Sequence, residues 1–367
     1  MKRNILLNPG PATTTNSVKQ SLMVPDICPR EKEFGDLTQN VLKKITRVVN
    51  GESSHVAVIL TGSGTAGVEA ALSSVVPEKG KILILDNGAY GKRAEKIIQS
   101  YRIPYVTHKL VWGDFPDVQA IEKIIKNDTE LTHFFFVHHE TTTGMLNPME
   151  DLLKLCQKYE IDSIVDAMSS YAGLPIDLQK EHIDYLISSS NKCIQGMAGT
   201  SFVIANKDKL TKTKEIPPRN LYLNLWGNYR HIEETGQFQF TPPVQIVYAL
   251  NQALDEFFLE TQDGRTARYF KSYYTLLEGI ENVNLELLLP KSQHSKLLTA
   301  IIEPNSPKYN FMEMHDYFYQ NDITIYPGKG AKQDTFRIAN IGEIDHRDME
   351  FFNKKLLHYF EEKNILS

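Results

Sequence analysis

The chain has 367 residues, 41% of them hydrophobic, and carries 40 Lys and Arg against 45 Asp and Glu for a formal net charge of −5. That length exceeds one ordinary core and fits a large and a smaller domain, while the mildly acidic balance argues against a nucleic-acid-binding surface, which needs concentrated positive charge. Three scattered cysteines, Cys28, Cys156 and Cys193, form no Cys-x-x-Cys pair; their pattern supports neither a disulfide framework nor a zinc site and fits a reducing compartment.

Short apolar runs alternate with helical patterns up to about residue 210, at 56–60, 81–85, 105–110, 134–137, 163–165, 186–189 and 201–205. Such alternation predicts an α/β fold with a mostly parallel sheet covered by helices. From 244 to about 280 the pattern is helical, interrupted around Gln262-Asp263-Gly264. Strands are expected at 283–289, 297–302, 323–326 and 335–338, with an amphipathic helix near 311–319 and a terminal helix from Asp345. This gives a large domain over 1–265, with an N-terminal arm, and a smaller C-terminal α/β domain over 266–367. No signal-peptide pattern opens the chain and no apolar run is long enough to cross a bilayer, so the expected location is the cytoplasm.

Three clusters follow expected strands: His138-His139-Glu140-Thr141-Thr142-Thr143-Gly144, then Asp166-Ala167-Met168-Ser169-Ser170, then Ser190-Asn191-Lys192-Cys193-Ile194-Gln195-Gly196. In open α/β sheets, ligands bind beyond the carboxyl ends of strands. Pyridoxal phosphate needs a lysine amine for its Schiff base and an acidic group that keeps its ring nitrogen protonated, and Lys192 and Asp166 suit those roles. Taken alone, Lys192 is a solvated charge and Asp166 a turn or cap residue. Their order and spacing argue for the cofactor. A competing pattern is Gly62-Ser63-Gly64-Thr65-Ala66-Gly67, a GxGxxG sequence after a strand, with Asp86 ending the next strand at a distance that suits a dinucleotide ribose. An NAD-binding Rossmann protein is therefore one reading. The same small residues, hydroxyls and helix-start N–H groups also suit a simple phosphate. His138 and His139 adjoin on a strand, point to opposite faces and lack an acidic partner at ligand spacing, so no metal is assigned.

The segments HHETTTG, VDAMSSYAG and SSSNKCIQG resemble those of 2-aminoethylphosphonate:pyruvate transaminases, class V aminotransferases with the aspartate-aminotransferase-like fold type I. The similarity runs from Asn8-Pro9-Gly10-Pro11, where many relatives have Thr in place of Asn8, to Thr335-Phe336-Arg337-Ile338. It implies that Ser63, Gly64 and Thr65 hold the cofactor phosphate, that Tyr90 stacks on the pyridine ring, and that Thr141 meets the ring hydroxyl. It also implies that Thr241 reaches the phosphate of a neighbouring subunit, making the protein a homodimer; the residue type alone reads as an N-cap before proline. Arg337 matches the substrate-binding arginine, and a guanidinium forks onto phosphonate or carboxylate oxygens as lysine cannot. Arg30 is a second candidate anion contact, in a charged run that otherwise reads as a solvated helix start. The expected reaction is ping-pong transfer of the amino group from 2-aminoethylphosphonate to pyruvate, giving phosphonoacetaldehyde and L-alanine. A related alanine- or serine-glyoxylate or -pyruvate aminotransferase would share the cofactor residues. A phosphate- or nucleotide-binding protein without catalysis is the reading from another class.

Overall fold

A computed structural model describes residues 3–328, 330 and 333–365. Seven strands form the principal sheet: β1 (His55–Thr61), β2 (Lys81–Asp86), β3 (Tyr105–Lys109), β4 (Leu131–Val137), β5 (Asp162–Asp166), β6 (Tyr185–Ser189) and β7 (Thr200–Asn206). Their order is β1-β7-β6-β5-β4-β2-β3. β7 runs antiparallel to both its neighbours, and every other pairing is parallel. Every expected strand up to residue 210 is present, within a residue at each end except that the one expected at 134–137 begins three residues earlier, at Leu131.

These strands are near-continuous apolar runs because both faces of the sheet are covered. Phe134 and Phe136 enter the cluster on one face and Phe135 the cluster on the other, as the period of two requires. α1 (Gly64–Val75) and α2 (Ala89–Ser100) bury Val68, Leu72, Ala94 and Ile98 on the second face. On the first face, α3 (Val244–Glu260) buries Val247, Leu250, Leu254 and Phe257.

The helical run after 244 breaks at Thr261, one residue ahead of the expected interruption. Thr261 has φ 70°, and its side chain accepts the Gly264 N–H at 3.2 Å, so it ends α3 and caps α4 (Gln262–Asn282). α4 runs through residue 265 and packs with α5 (His346–Glu362) against a three-stranded sheet, β8 (Leu298–Ile302), β9 (Tyr326–Pro327) and β10 (Thr335–Ala339), in the order β8-β10-β9. The strand expected at 283–289 is absent. That segment makes a single bridge, Leu287 to Ile301, plus two flanking backbone bonds, because Leu285 and Leu287 pack into the small core without pairing continuously.

The N-terminal arm joins the two sheets. Ile5–Leu6 pairs in parallel with Ile323–Thr324, and Ile5 and Leu7 are buried in the core of the smaller sheet. The next residues turn toward the large sheet, where the Ala12 N–H donates to Asn191 O at 3.0 Å. Among the described residues no helix is long and apolar enough to cross a membrane.

Candidate active site

A cavity of about 620 Å3 opens where the carboxyl ends of β1, β5 and β6 meet the amino end of the reversed β7. Thr61 to Thr65, Asp166, Lys192 and Gly199 line it together with Tyr90, Arg93, Met168 and Pro243. Strand ends from distant parts of the chain thus converge on one site, as the position of ligands in open α/β sheets predicts.

On one wall β1 turns sharply into α1. Gly62, at φ 147°, donates to Gly199 O at 2.9 Å, a conformation that disfavours any residue with a Cβ. Ser63 is the N-cap of α1, yet its hydroxyl makes no capping bond and is exposed. A side chain at Gly64 would run into Met168. The first turn of α1 therefore offers N–H groups and free hydroxyls to an anion. Asp86, the supposed ribose contact, is fully buried, accepts from Trp112 Nε1 at 3.3 Å and does not line the cavity. Its placement leaves the dinucleotide reading without its acidic partner.

Asp166 ends β5, 3% exposed, and its Oδ1 accepts the Met168 N–H at 2.9 Å. Burial raises its pKa to about 6, and the Met168 N–H, the Lys192 ammonium and Arg93 oppose the rise. Lys192 is pushed down to about 8 by burial, with Cys193 and Asp166 working against the shift. Its amine donates to Pro9 O in the N-terminal arm. Gly10 lies directly against this side chain at φ 137°, so any Cβ there would collide with the lysine. Desolvation beside a carboxylate leaves Lys192 closer to a usable nucleophile than a solvated lysine.

The HHETTTG segment follows the carboxyl end of β4 and lies outside the residues that line the cavity. Thr141 and Thr143 are buried, and the Oγ1 atoms of both have no hydrogen-bond partner. A buried orphan hydroxyl costs free energy unless a ligand satisfies it. Glu140, between them and Tyr90, accepts the Thr142 N–H at 2.9 Å, the Thr142 hydroxyl at 2.6 Å and the Tyr90 N–H at 3.4 Å, and burial raises its pKa to about 7. His138 pairs with Ser170 Oγ at 3.0 Å, and His139 with Ser169 O at 3.1 Å and Ser295 Oγ at 2.8 Å. Burial lowers their pKa values to about 4 and about 3, so both are neutral imidazoles that tie loops together.

Arg337, on β10, is 3% exposed and reaches across to the same segment, with NH1 donating to Thr141 O and Nε to Pro327 O, each at 3.0 Å. No carboxylate among the described residues pairs with it, and a buried unpaired guanidinium is a ready anion contact. Two other candidates, like Thr141 and Arg337, are not among the residues that line the cavity. Thr241 is exposed, and Pro243, not Thr241, occupies the N-cap of α3. Arg30 is exposed and holds the segment ahead of α3, with NH1 on Phe238 O at 2.5 Å while Gln237 Nε2 donates to Arg30 O at 2.8 Å. Sequence reasoning passed over Arg93 and the Pro9-Gly10 contact, and quoted Glu140 without giving it work.

The donor set, the orphan Thr141 hydroxyl and the helix-start wall fit pyridoxal phosphate: a lysine and a carboxylate flank a cavity of suitable size with an anion site at one end. The fold is that of the fold type I aminotransferases. The class-V aminotransferase family model matches residues 21–333, and the chain belongs to that pyridoxal-phosphate-dependent family. It is 40% identical over 353 residues to a 2-aminoethylphosphonate--pyruvate transaminase of Klebsiella pneumoniae, covering 94% of both chains. A protein of the same description from Bacillus mycoides is 39% identical over 350 residues, again covering 94% of each. A bifunctional phosphonoacetaldehyde hydrolase/aminoethylphosphonate transaminase of Clostridioides difficile is 39% identical over 349 residues, and this chain spans 55% of its length. Among solved structures, ureidoglycine-glyoxylate aminotransferase of Bacillus subtilis superposes with a TM-score of 0.91 at 20% identity, covering 99% of this chain and 94% of that one. Pyridoxamine-pyruvate aminotransferase of Mesorhizobium loti gives 0.89 at 22%, covering 99% and 93%.

Proposed function

We propose that the protein transfers the amino group of 2-aminoethylphosphonate to pyruvate, yielding phosphonoacetaldehyde and L-alanine, with Lys192 and Asp166 as the catalytic residues. The observation that carries this reading is the convergence of Lys192, Asp166, the free hydroxyl of Ser63 and the α1 start on one cavity, in a chain 40% identical along nearly its whole length to a relative of that description.

Pyridoxal phosphate, when bound, supplies the carbonyl carbon that takes up the amino group and a ring that draws electron density from the reacting carbon. Lys192 Nζ would hold that group covalently and, once freed by the substrate amine, would take the proton from C2 of 2-aminoethylphosphonate, the carbon that bears the amine. An amine with a pKa near 8 is half deprotonated at mildly alkaline pH, which suits a general base. The Asp166 carboxylate would keep a proton at the ring nitrogen, and Thr141 Oγ1, which has no partner of its own, would meet the ring hydroxyl. Ser63, Gly64 and Thr65 would hold the phosphate, and Tyr90 would stack on the ring face. Arg337 receives the phosphonate in the first half-reaction and the pyruvate carboxylate in the second. Arg30 orders the segment carrying Thr241, which in a homodimer serves the partner's site. Three free cysteines support a reducing, cytoplasmic setting.

The test is a donor screen with pyruvate as acceptor, comparing 2-aminoethylphosphonate with alanine, serine and phosphonoalanine, and glyoxylate as the alternative acceptor. Alanine formation driven by 2-aminoethylphosphonate supports the assignment. Turnover confined to carboxylate donors or to glyoxylate moves the protein to a related aminotransferase. Borohydride should fix the yellow colour covalently at Lys192.

A further inference from the structure

Arg93 is exposed, and an exposed arginine is ordinarily a solvated charge. Here the guanidinium is held from two sides. Its NH1 donates to Thr65 Oγ1 at 3.1 Å, in the first turn of α1, and its Cζ sits 4.9 Å from the centroid of the Tyr90 ring. No carboxylate among the described residues pairs with it, and among the described residues lining the cavity only Arg93 and Lys192 are cationic. Arg337 does not line the cavity, and its NH1 and Nε donate to Thr141 O and Pro327 O.

We infer that Arg93 is a further binding residue, a fork that clamps the phosphate of the cofactor from the solvent side while pinning Tyr90 in place. The inference rests on the proposed function, which supplies the ligand. A phosphate group carries close to two negative charges, and a helix start with neutral hydroxyls offsets only part of that. A lysine engaged covalently contributes little at the phosphate end. The Thr65 hydroxyl accepts from Arg93, which leaves its own hydrogen free to donate to a phosphate oxygen, so the guanidinium and hydroxyl act as one relay. Stacking on Tyr90 fixes the plane of the fork in advance and reduces the entropy lost on binding. The field of Arg93 also reaches the catalytic pair, favouring the Asp166 carboxylate and disfavouring the Lys192 ammonium.

The experiment uses full-length protein resolved of cofactor and titrated, by absorbance and fluorescence quenching, with pyridoxal phosphate and separately with pyridoxal, which lacks the phosphate. Arg93→Gln should raise the Kd for pyridoxal phosphate by about tenfold or more, the loss of a charged hydrogen bond, and raise the Kd for pyridoxal far less, by what looser packing of Tyr90 costs. Equal pyridoxal phosphate affinity in variant and wild type overturns the inference. So does an equal loss for both ligands, which would mean that Arg93 acts through Tyr90 and not on the phosphate. If the glutamine variant does not fold by circular dichroism, Arg93→Lys carries the same comparison, with a smaller but still phosphate-dependent loss expected. Uptake of pyridoxal phosphate by the wild-type chain, fixed at Lys192 by borohydride, reports on the proposed function independently of any Arg93 result.

Discussion

Lys192 and Asp166 are both desolvated and feel each other's charge, and the proposed mechanism uses them as a pair. Lys192→Ala removes the covalent attachment and the base together, so turnover in the donor assay should fall to background and borohydride should fix no cofactor; a variant with a large share of the wild-type rate would end the assignment. Asp166→Asn should still take up cofactor but lower kcat by several powers of ten, read by single-turnover kinetics, because the ring nitrogen loses its anionic partner. Arg337→Lys keeps the charge and loses the fork. KM for both 2-aminoethylphosphonate and pyruvate should then rise by roughly ten- to a hundredfold, the worth of a charged hydrogen bond of about 1.5–3 kcal/mol. Glu140 gives a pH signature in cofactor-free protein. Its folded pKa of about 7 lies above the usual carboxylate value of 4.5, so between those values the native state holds a proton that the unfolded chain has released. Its stabilising contribution is full below about pH 4.5 and is lost as pH rises through 7, on the order of 3 kcal/mol at the limit. Glu140→Gln should flatten that part of the Tm profile between pH 4.5 and 7; an unchanged slope would place the proton elsewhere.

At the level of elements, the strands were legible because runs such as Phe134-Phe135-Phe136-Val137 are buried on both faces, and the site was legible because each run ends in polar, chemically capable residues. The stretch 283–289 has similar composition, but hydrophobicity alone does not say whether a segment finds a continuous pairing partner. Arg93 stands three residues beyond Tyr90, on the same helix face, so local spacing carried a signal that a surface charge masked. The packing of Gly10 on Lys192 carried none. It joins the N-terminal arm to the end of β6, and only the tertiary fold brings them together. Gly10→Ala should displace the lysine or the arm, since the added carbon meets Lys192 and the backbone there has φ 137°. The expected outcome is a large fall in both the rate of cofactor uptake and kcat, with the rest of the fold intact by circular dichroism. Uptake at the wild-type rate would show that the arm yields without consequence for the lysine.

For the molecule as a whole, the exposed position of Thr241 outside its own cavity makes a test of assembly possible. If a partner's Thr241 completes each site, co-expressed Lys192→Ala and Thr241→Ala chains should form hybrids in which one site bears both lesions and the other none, so purified hybrids should regain activity that neither homodimer has. Hybrids no more active than the mean of the two parents would place Thr241 in its own chain's site, or in neither. The reversed strand β7 has a further consequence. A parallel successor to β6 would require a crossover of a dozen or more residues, usually through a helix, whereas the reversal lets residues 190–199 close the gap as a hairpin loop at one end of the sheet. Lys192 rides on that hairpin, and both its flanks are stitched down, Ser190 N to Thr200 O at 3.1 Å and Gly196 N to Ser190 O at 2.7 Å. The Lys192 amine is thus carried on backbone held at both flanks, and its reach comes from rotation about its own side-chain bonds. A swinging lysine on a rigid pivot can shuttle a proton between two neighbouring carbons, and hydrogen exchange at these amides should be as slow as in the centre of the sheet.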